Sequence, residues 1–270
     1  MLRAEDFFSL EENRFKLLFA DTEYAWEGLK KIKGFMEGHL QPNVKKLRAG
    51  SPLVEKTLVL WGGQILSSGF ALDSSGKKTL VHKGGAVLKG ASIIYAGSYL
   101  MDDDIYIGED TIIEPTALIR GPAMIGDRTE VRHGAYIRGN VLVGDDCVVG
   151  HTTEIKSSVM LGGSKAGHFA YIGDSILGRV NLGAGTKLAN LKMVDSPVTL
   201  NIGNRTYETG LRKFGAIIGD GVETGCNSVT TPGTLLAKNV ILYPNGTARG
   251  FYPAGSLVKI KQDQEVYNLE

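Results

Sequence analysis

The sequence predicts an all-β fold, a parallel β-solenoid with a short helical N-terminal segment. From residue 107 to 161 an aliphatic side chain returns at every sixth position: Ile107, Ile113, Ile119, Ile125, Val131, Ile137, Val143, Val149, Ile155 and Leu161. The fourth residue after each is small or slender, as at Thr111, Ala117, Ala123, Thr129, Ala135, Val141, Cys147, Thr153 and Val159, with Lys165 the exception. Six residues is too short for a helical repeat and suits stacked hexads. The chain's 36 glycines supply the sharp corners that such a path needs.

The elements follow in order. Residues 1–55 are different in kind: Trp26, Leu29, Ile32 and Met36 fall near helical spacing and predict one amphipathic helix that ends near Gly38, before Pro42. Residues 56–252 are expected to form the solenoid, most regular over 105–166 and 216–247. It opens with a strand at 57–61 bounded by Gly62 and Gly63. Val81, Val87 and Ile93 carry the six-residue rhythm backward, with Gly85, Ala91 and Gly97 in the small slots, and an irregular stretch at 101–104 shifts the phase. After Leu161 the phase breaks again, with Gly167 in the aliphatic slot and Ile172 one residue early. Residues 191–214 lose the rhythm, and an excursion of this length is usually functional or subunit-bridging. Ile218, Thr224, Thr230, Leu236 and Leu242 restore it. The tail, 253–270, is placed to cover the last open edge.

Thirty basic residues against 29 acidic ones leave a formal charge of +1. This excludes a general nucleic-acid or membrane surface, so any anion site is local. Two cysteines, Cys147 and Cys226, argue against a disulfide framework and for a reducing compartment. The N-terminus lacks a secretory pattern and no spanning segment appears, so a cytoplasmic location is expected. His133 and His151 are 18 apart and His168 follows in the next slot, but three well-matched metal ligands are not evident, and these histidines read as ordinary corner residues. No metal is expected. Motifs for a serine-hydrolase elbow, a paired-cysteine site or a Walker loop are missing.

If three hexads make one coil, residues 18 apart stack on one face at roughly 4.8 Å. The slot after each buried aliphatic then gives three columns: Gly108, Gly126, Gly144, Gly162; Glu114, Arg132, Gly150, His168; and Arg120, Arg138, Lys156. Stacked like charges repel unless anions or acidic neighbours offset them, and a phosphate-bearing ligand would do so. Solvated heads on long stems are the plainer alternative. His168 sits where the repeat breaks, and Glu154 lies one coil back, placed to hold a histidine tautomer as in a general base. A structural histidine is the alternative there too.

The segment Gly163-Ser-Lys-Ala-Gly-His168-Phe-Ala-Tyr171, continuing through Asn181 and Ala184, resembles the acetyltransferase half of the bifunctional N-acetylglucosamine-1-phosphate uridylyltransferase/glucosamine-1-phosphate acetyltransferase family. Archaeal-type sugar-1-phosphate nucleotidylyltransferases are similar. The resemblance covers about 105–250 and implies a left-handed parallel β-helix and a homotrimer with sites between subunits. It implies acetyl-CoA as acyl donor and the amino group of a sugar phosphate or nucleotide sugar as acceptor. Carried over position by position, His168 matches the general base and Glu154 the acid beside it. Arg132, Lys156, Tyr171 and Asn181 match substrate positions, with Lys213 a further match in the excursion. Ala184, Asn190 and Cys226 match acyl-donor positions, although Leu191 stands where the family usually has Tyr. The family's nucleotidylyltransferase domain has no counterpart, so the chain reads as the C-terminal half on its own. The alternatives are a non-catalytic nucleotide-sugar-binding or regulatory trimer, a partner of a separate nucleotidylyltransferase, a structural scaffold, and, more distantly, a metalloenzyme on the same helix.

Overall fold

The computed structural model describes residues 2–76, 78–261 and 263–268. Among them, three long and mostly parallel sheets, of eleven, eight and eight strands, wrap a β-solenoid of about nine turns. Its hand is left, as the resemblance implies. The first face carries Ile112–Ile113, Glu130–Val131, Val148–His151, Lys165–His168 and Asn181–Leu182. The second carries Leu118–Arg120, Tyr136–Arg138, Glu154–Lys156, Tyr171–Gly173 and Lys187–Leu188, and the third Ala123–Ile125, Val141–Val143, Ser158–Met160 and Ile176–Leu177. Each rung donates its backbone N–H groups to the rung beside it, so register fixes which side chains stack.

The hexad positions fill the interior: Ile113, Ile119, Ile125, Val131, Ile137, Val143, Val149 and Ile155 are completely buried. Between them runs a ladder of buried hydroxyls. Thr111 Oγ1 donates to Gly126 O at 2.7 Å and Thr129 Oγ1 to Gly144 O at 2.8 Å. The hydroxyl thus satisfies a carbonyl that the corner would otherwise leave unpaired. Cys147 continues this column without exposure, and burial pushes its thiol up to about 12. Cys226 is exposed.

Three expectations from the rhythm fail, each for a local reason. Ile137 pairs with Ile155, 18 residues on, but Val141 pairs with Ser158, 17 on, because the corner at Ser157 is one residue shorter than that at Gly139-Asn140. Met160, not Leu161, therefore takes the interior slot, and Ser164, not Lys165, takes the next small one. The glycine column runs from Gly144 to Leu161, since a Cβ on Gly144 would lie 2.5 Å from Leu161 O. The second column runs from Gly150 to Gly167, and His168 moves into register with His151.

The backward extension through Val81 and Val87 also fails. Ala71–Asp73, Leu80–Lys83 and Ala86–Val87 form an antiparallel sheet, and Val87 is 45% exposed. Gly84 and Gly85, at φ +59° and +80°, allow the two-residue hairpin turn that a right-handed strand twist favours. The first parallel pairing of the solenoid is Ile93 with Ile112, and Leu257–Val258 within the tail forms its last strand on the first face.

The N-terminal helix runs Gly28–His39 after a 3₁₀ turn, Ala25–Glu27. With Phe7, Phe8, Phe15 and Phe19 it lays Trp26, Ile32 and Met36 over Leu142, Val159, Ile176, Ile217 and Leu235, the outward side chains of the third face. Five aliphatic side chains pointing away from the interior are thereby buried, and that face of the solenoid is closed by its own chain. The excursion enters the corner between second and third faces, where Leu188 and Ala216 flank it, and holds an antiparallel hairpin, Thr199–Ile202 with Arg205–Glu208.

Two outcomes test this packing. Ile137→Ala, which opens a cavity in a completely buried rung, costs about 2–5 kcal/mol of stability in denaturant titration. Native protein titrates one thiol, Cys226, with an aromatic disulfide reagent, and Cys147 reacts only after unfolding.

Candidate functional site

The shortened corner at Ser157 assembles the first candidate group. Thr152 N donates to His133 O, Phe169 N to His151 O, Gly185 N to His168 O and Asn227 N to Ala184 O. His133, His151, His168, Ala184 and Cys226 are thus successive rungs of one corner, between first and second faces. The His133 and His151 rings are parallel, with centroids 5.3 Å apart. His151 Nδ1 meets His133 O at 3.0 Å, and His133 Nδ1 meets Thr116 Oγ1 at 2.8 Å. His168 is exposed, with a ring contact to Phe169, and its imidazole hydrogen-bonds to no group among the described residues. Phe169 itself holds a left-handed φ of +36° and is 51% exposed, a sparsely populated conformation for a bulky residue. No group of three His, Cys, Asp or Glu side chains among the described residues is placed to hold a metal ion.

A second group occupies the second face and its far edge. Lys156 Nζ lies 2.6 Å from Asp174 Oδ2 in a largely buried pair, and Asn190 Nδ2 donates to the same oxygen. Tyr171 OH donates to Asn190 Oδ1 at 3.4 Å. Partial burial raises the Tyr171 phenol above its ordinary value, reinforced by the Glu154 and Asp174 carboxylates. Gly173 makes room: a Cβ there would lie 2.7 Å from both Asn190 Nδ2 and Tyr171 OH. Arg120 is in register with Arg138, and Arg138 with Lys156 by the 18-residue spacing, as the charge column requires.

The Glu154–His168 pair expected from the sequence is not formed. Glu154 points from the flat of the second face, where its cross-strand neighbours are Tyr136 and Tyr171, and its carboxylate binds Arg138 Nη1 at 2.6 Å. That bond raises the Arg138 guanidinium further. Arg132 is likewise not with Lys156. It lies on the first face, bound to Glu130 at 2.7 Å, with Asn181 outward on the same face beside Lys165. Lys213 pairs by its backbone with Leu191 at the base of the excursion. The structure therefore brings together His168, Ala184 and Cys226 at the corner, and Glu154, Lys156, Tyr171 and Asn190 on the second face. It separates Arg132, Asn181 and Lys213 from both.

Two participants escaped the sequence reading. Asp174 stands 18 residues after Lys156 and was findable by the column arithmetic. Lys187, in register with Tyr171, sends Nζ to Gly185 O at 2.8 Å, next to the His168 rung; no motif signals it.

Comparison with known proteins adds the following. Residues 119–245 match the family described as the GMPPB C-terminal domain. The chain is 36% identical over 99 residues to a bifunctional sugar-1-phosphate nucleotidylyltransferase/acetyltransferase of Sulfurisphaera tokodaii, a match covering 36% of this chain and 25% of that protein. It is 46% identical over 83 residues to the bifunctional protein GlmU of Methanococcus vannielii, covering 30% of this chain and 20% of that protein. The matches thus span a quarter or less of the length of these relatives. Among solved structures, a hexapeptide transferase family protein from Anaplasma phagocytophilum aligns over 54% of this chain and 74% of that one, at 19% identity and a TM-score of 0.30. In its C-terminal part the chain is therefore similar to the hexapeptide-repeat domain that GlmU proteins and sugar-1-phosphate nucleotidylyltransferases carry.

Proposed function

We propose that this protein is a hexapeptide-repeat acyltransferase that moves an acetyl group from acetyl-CoA to the amino group of a sugar phosphate or nucleotide sugar. One observation carries the reading: the Lys165–His168 strand ends at an open corner, and the polar group around Lys156 and Tyr171 stands on the adjoining face of the same and the preceding rung. The relatives named for acetyl transfer and GlmU activity support it.

In the proposed step the amine nitrogen attacks the thioester carbonyl while His168 takes its proton. The carbon–sulfur bond then breaks, and the imidazolium returns the proton to the departing thiolate. The Ala184 N–H, which donates to no group among the described residues, is available to the developing oxyanion. Arg138 and Lys156 hold the phosphate by exchanging their carboxylate partners for it, and so orient the amine. Glu154 acts as a positioning residue through Arg138 rather than on the imidazole. Exposure of Phe169, Leu191, Met193 and Val194 supports a homotrimer in which a second copy closes the corner. Two free cysteines support a cytoplasmic setting, and no helix among the described residues is long and apolar enough to cross a membrane.

Leu191 favours a second reading, a module that binds the sugar phosphate but no acyl donor. Thiol release from acetyl-CoA with glucosamine-1-phosphate separates the two. His168→Ala is expected to lower kcat by about 10²–10⁴ with little change in KM, and Lys156→Ala to raise KM for the sugar phosphate. Equal rates in wild type and His168→Ala exclude His168 as base; sugar-phosphate binding without acetyl-CoA binding selects the module.

A further inference from the structure

A cavity of about 1200 Å³ opens on the first face, toward the edge away from the histidine corner. Its floor is built from Glu130, Arg132, Val148 and Lys165, one wall from residues 9–14 and the rim from Lys78, in the turn between Ala71–Asp73 and Leu80–Lys83. His168 does not line it.

Its charges divide into two sets. Four carboxylates are fully engaged. Asp145 accepts from Arg14 at 2.6 Å and from the Asp127 N–H at 2.8 Å, and Asp146 takes Arg128 through two contacts of 2.9 Å. Glu130 holds Arg132, and Asp220 accepts the backbone N–H groups of Ser9 and Arg179 at 2.7 and 2.8 Å. Lys78, Lys165 and Arg179, by contrast, form no ion pair with a carboxylate among the described residues. They come from three separate stretches of chain and meet at one opening. Arg179 is also held in place: its stem lies over Gly163, where a Cβ would stand 3.1 Å from Nε and 3.3 Å from Cγ. Converging cations of this kind repel one another unless an anion sits among them. A single phosphate leaves most of the space unfilled, since small-ligand pockets span roughly 300–1,000 Å³.

We infer that this cavity is a binding site for a diphosphate-bearing nucleotide, with the diphosphate among Lys78, Lys165 and Arg179 and the nucleoside along the first face toward the 9–14 wall. It is separate from the corner assigned to acyl transfer and stands whether or not that assignment does.

Calorimetric titration of the full chain with ADP and with inorganic pyrophosphate tests the site. ADP is expected to bind more tightly than pyrophosphate, and the double variant Lys165→Ala/Arg179→Ala to lose about tenfold or more in affinity for both. Both side chains are exposed, and an unchanged Tm verifies that the variant is folded. His168→Ala is expected to bind ADP as wild type does. Absence of binding, an unaltered affinity in the double variant, or loss of ADP binding in His168→Ala each overturns the site. Equal affinity for ADP and pyrophosphate overturns its nucleotide character.

Discussion

The backbone ladder between rungs is the constraint from which everything else in this molecule follows. Each rung hands its N–H groups to the next, and the interior hexad positions cannot leave the core without losing both the ladder and their burial. Side-chain placement outside is then a matter of corner length. One residue fewer at Ser157 moves His168 out of line with Arg132 and into line with His151. No flexible loop aims the imidazole; a count of residues does.

The shortened rungs also narrow the prism. Val141, Val143, Cys147 and Val149 face inward on one rung, and Ser158, Met160, Ser164 and Ala166 replace them on the next. Smaller side chains accompany a shorter perimeter, as close packing demands. The histidine corner, the Gly173 notch beneath Tyr171 and Asn190, and the base of the excursion all lie at or just beyond this waist. Breaks in a repeat concentrate where the surface has acquired a task.

The repeat made most of the fold legible, because burial imposes a period that composition cannot disguise. The helix over residues 28–39 was legible from Trp26, Ile32 and Met36, although not the face it covers, since nothing in the hexads marks Leu142 or Val159 as outward and yet apolar. The failures share a cause. Leu161, Lys165 and the column containing His168 were misplaced because a deletion at a corner leaves no trace in the hydrophobic pattern until several residues later. Val81 and Val87 fit the rhythm by number alone, whereas the consecutive glycines Gly84 and Gly85 were the signal of a hairpin. The Arg138–Glu154 bond was beyond reach because partner choice among several nearby charges depends on side-chain direction, not on spacing.

The excursion between second and third faces bears on how the chain folds. Ile176 pairs with Ile217 across 41 residues, where regular rungs close 17 or 18. By the logarithmic dependence of loop entropy on length, that longer closure costs only roughly 0.8 kcal/mol more than an ordinary rung. Rungs on either side can therefore nucleate as independent blocks and still join with little kinetic penalty. A linear stack of nearest-neighbour contacts tolerates such an insertion at a corner far better than a fold whose core is shared by all its elements.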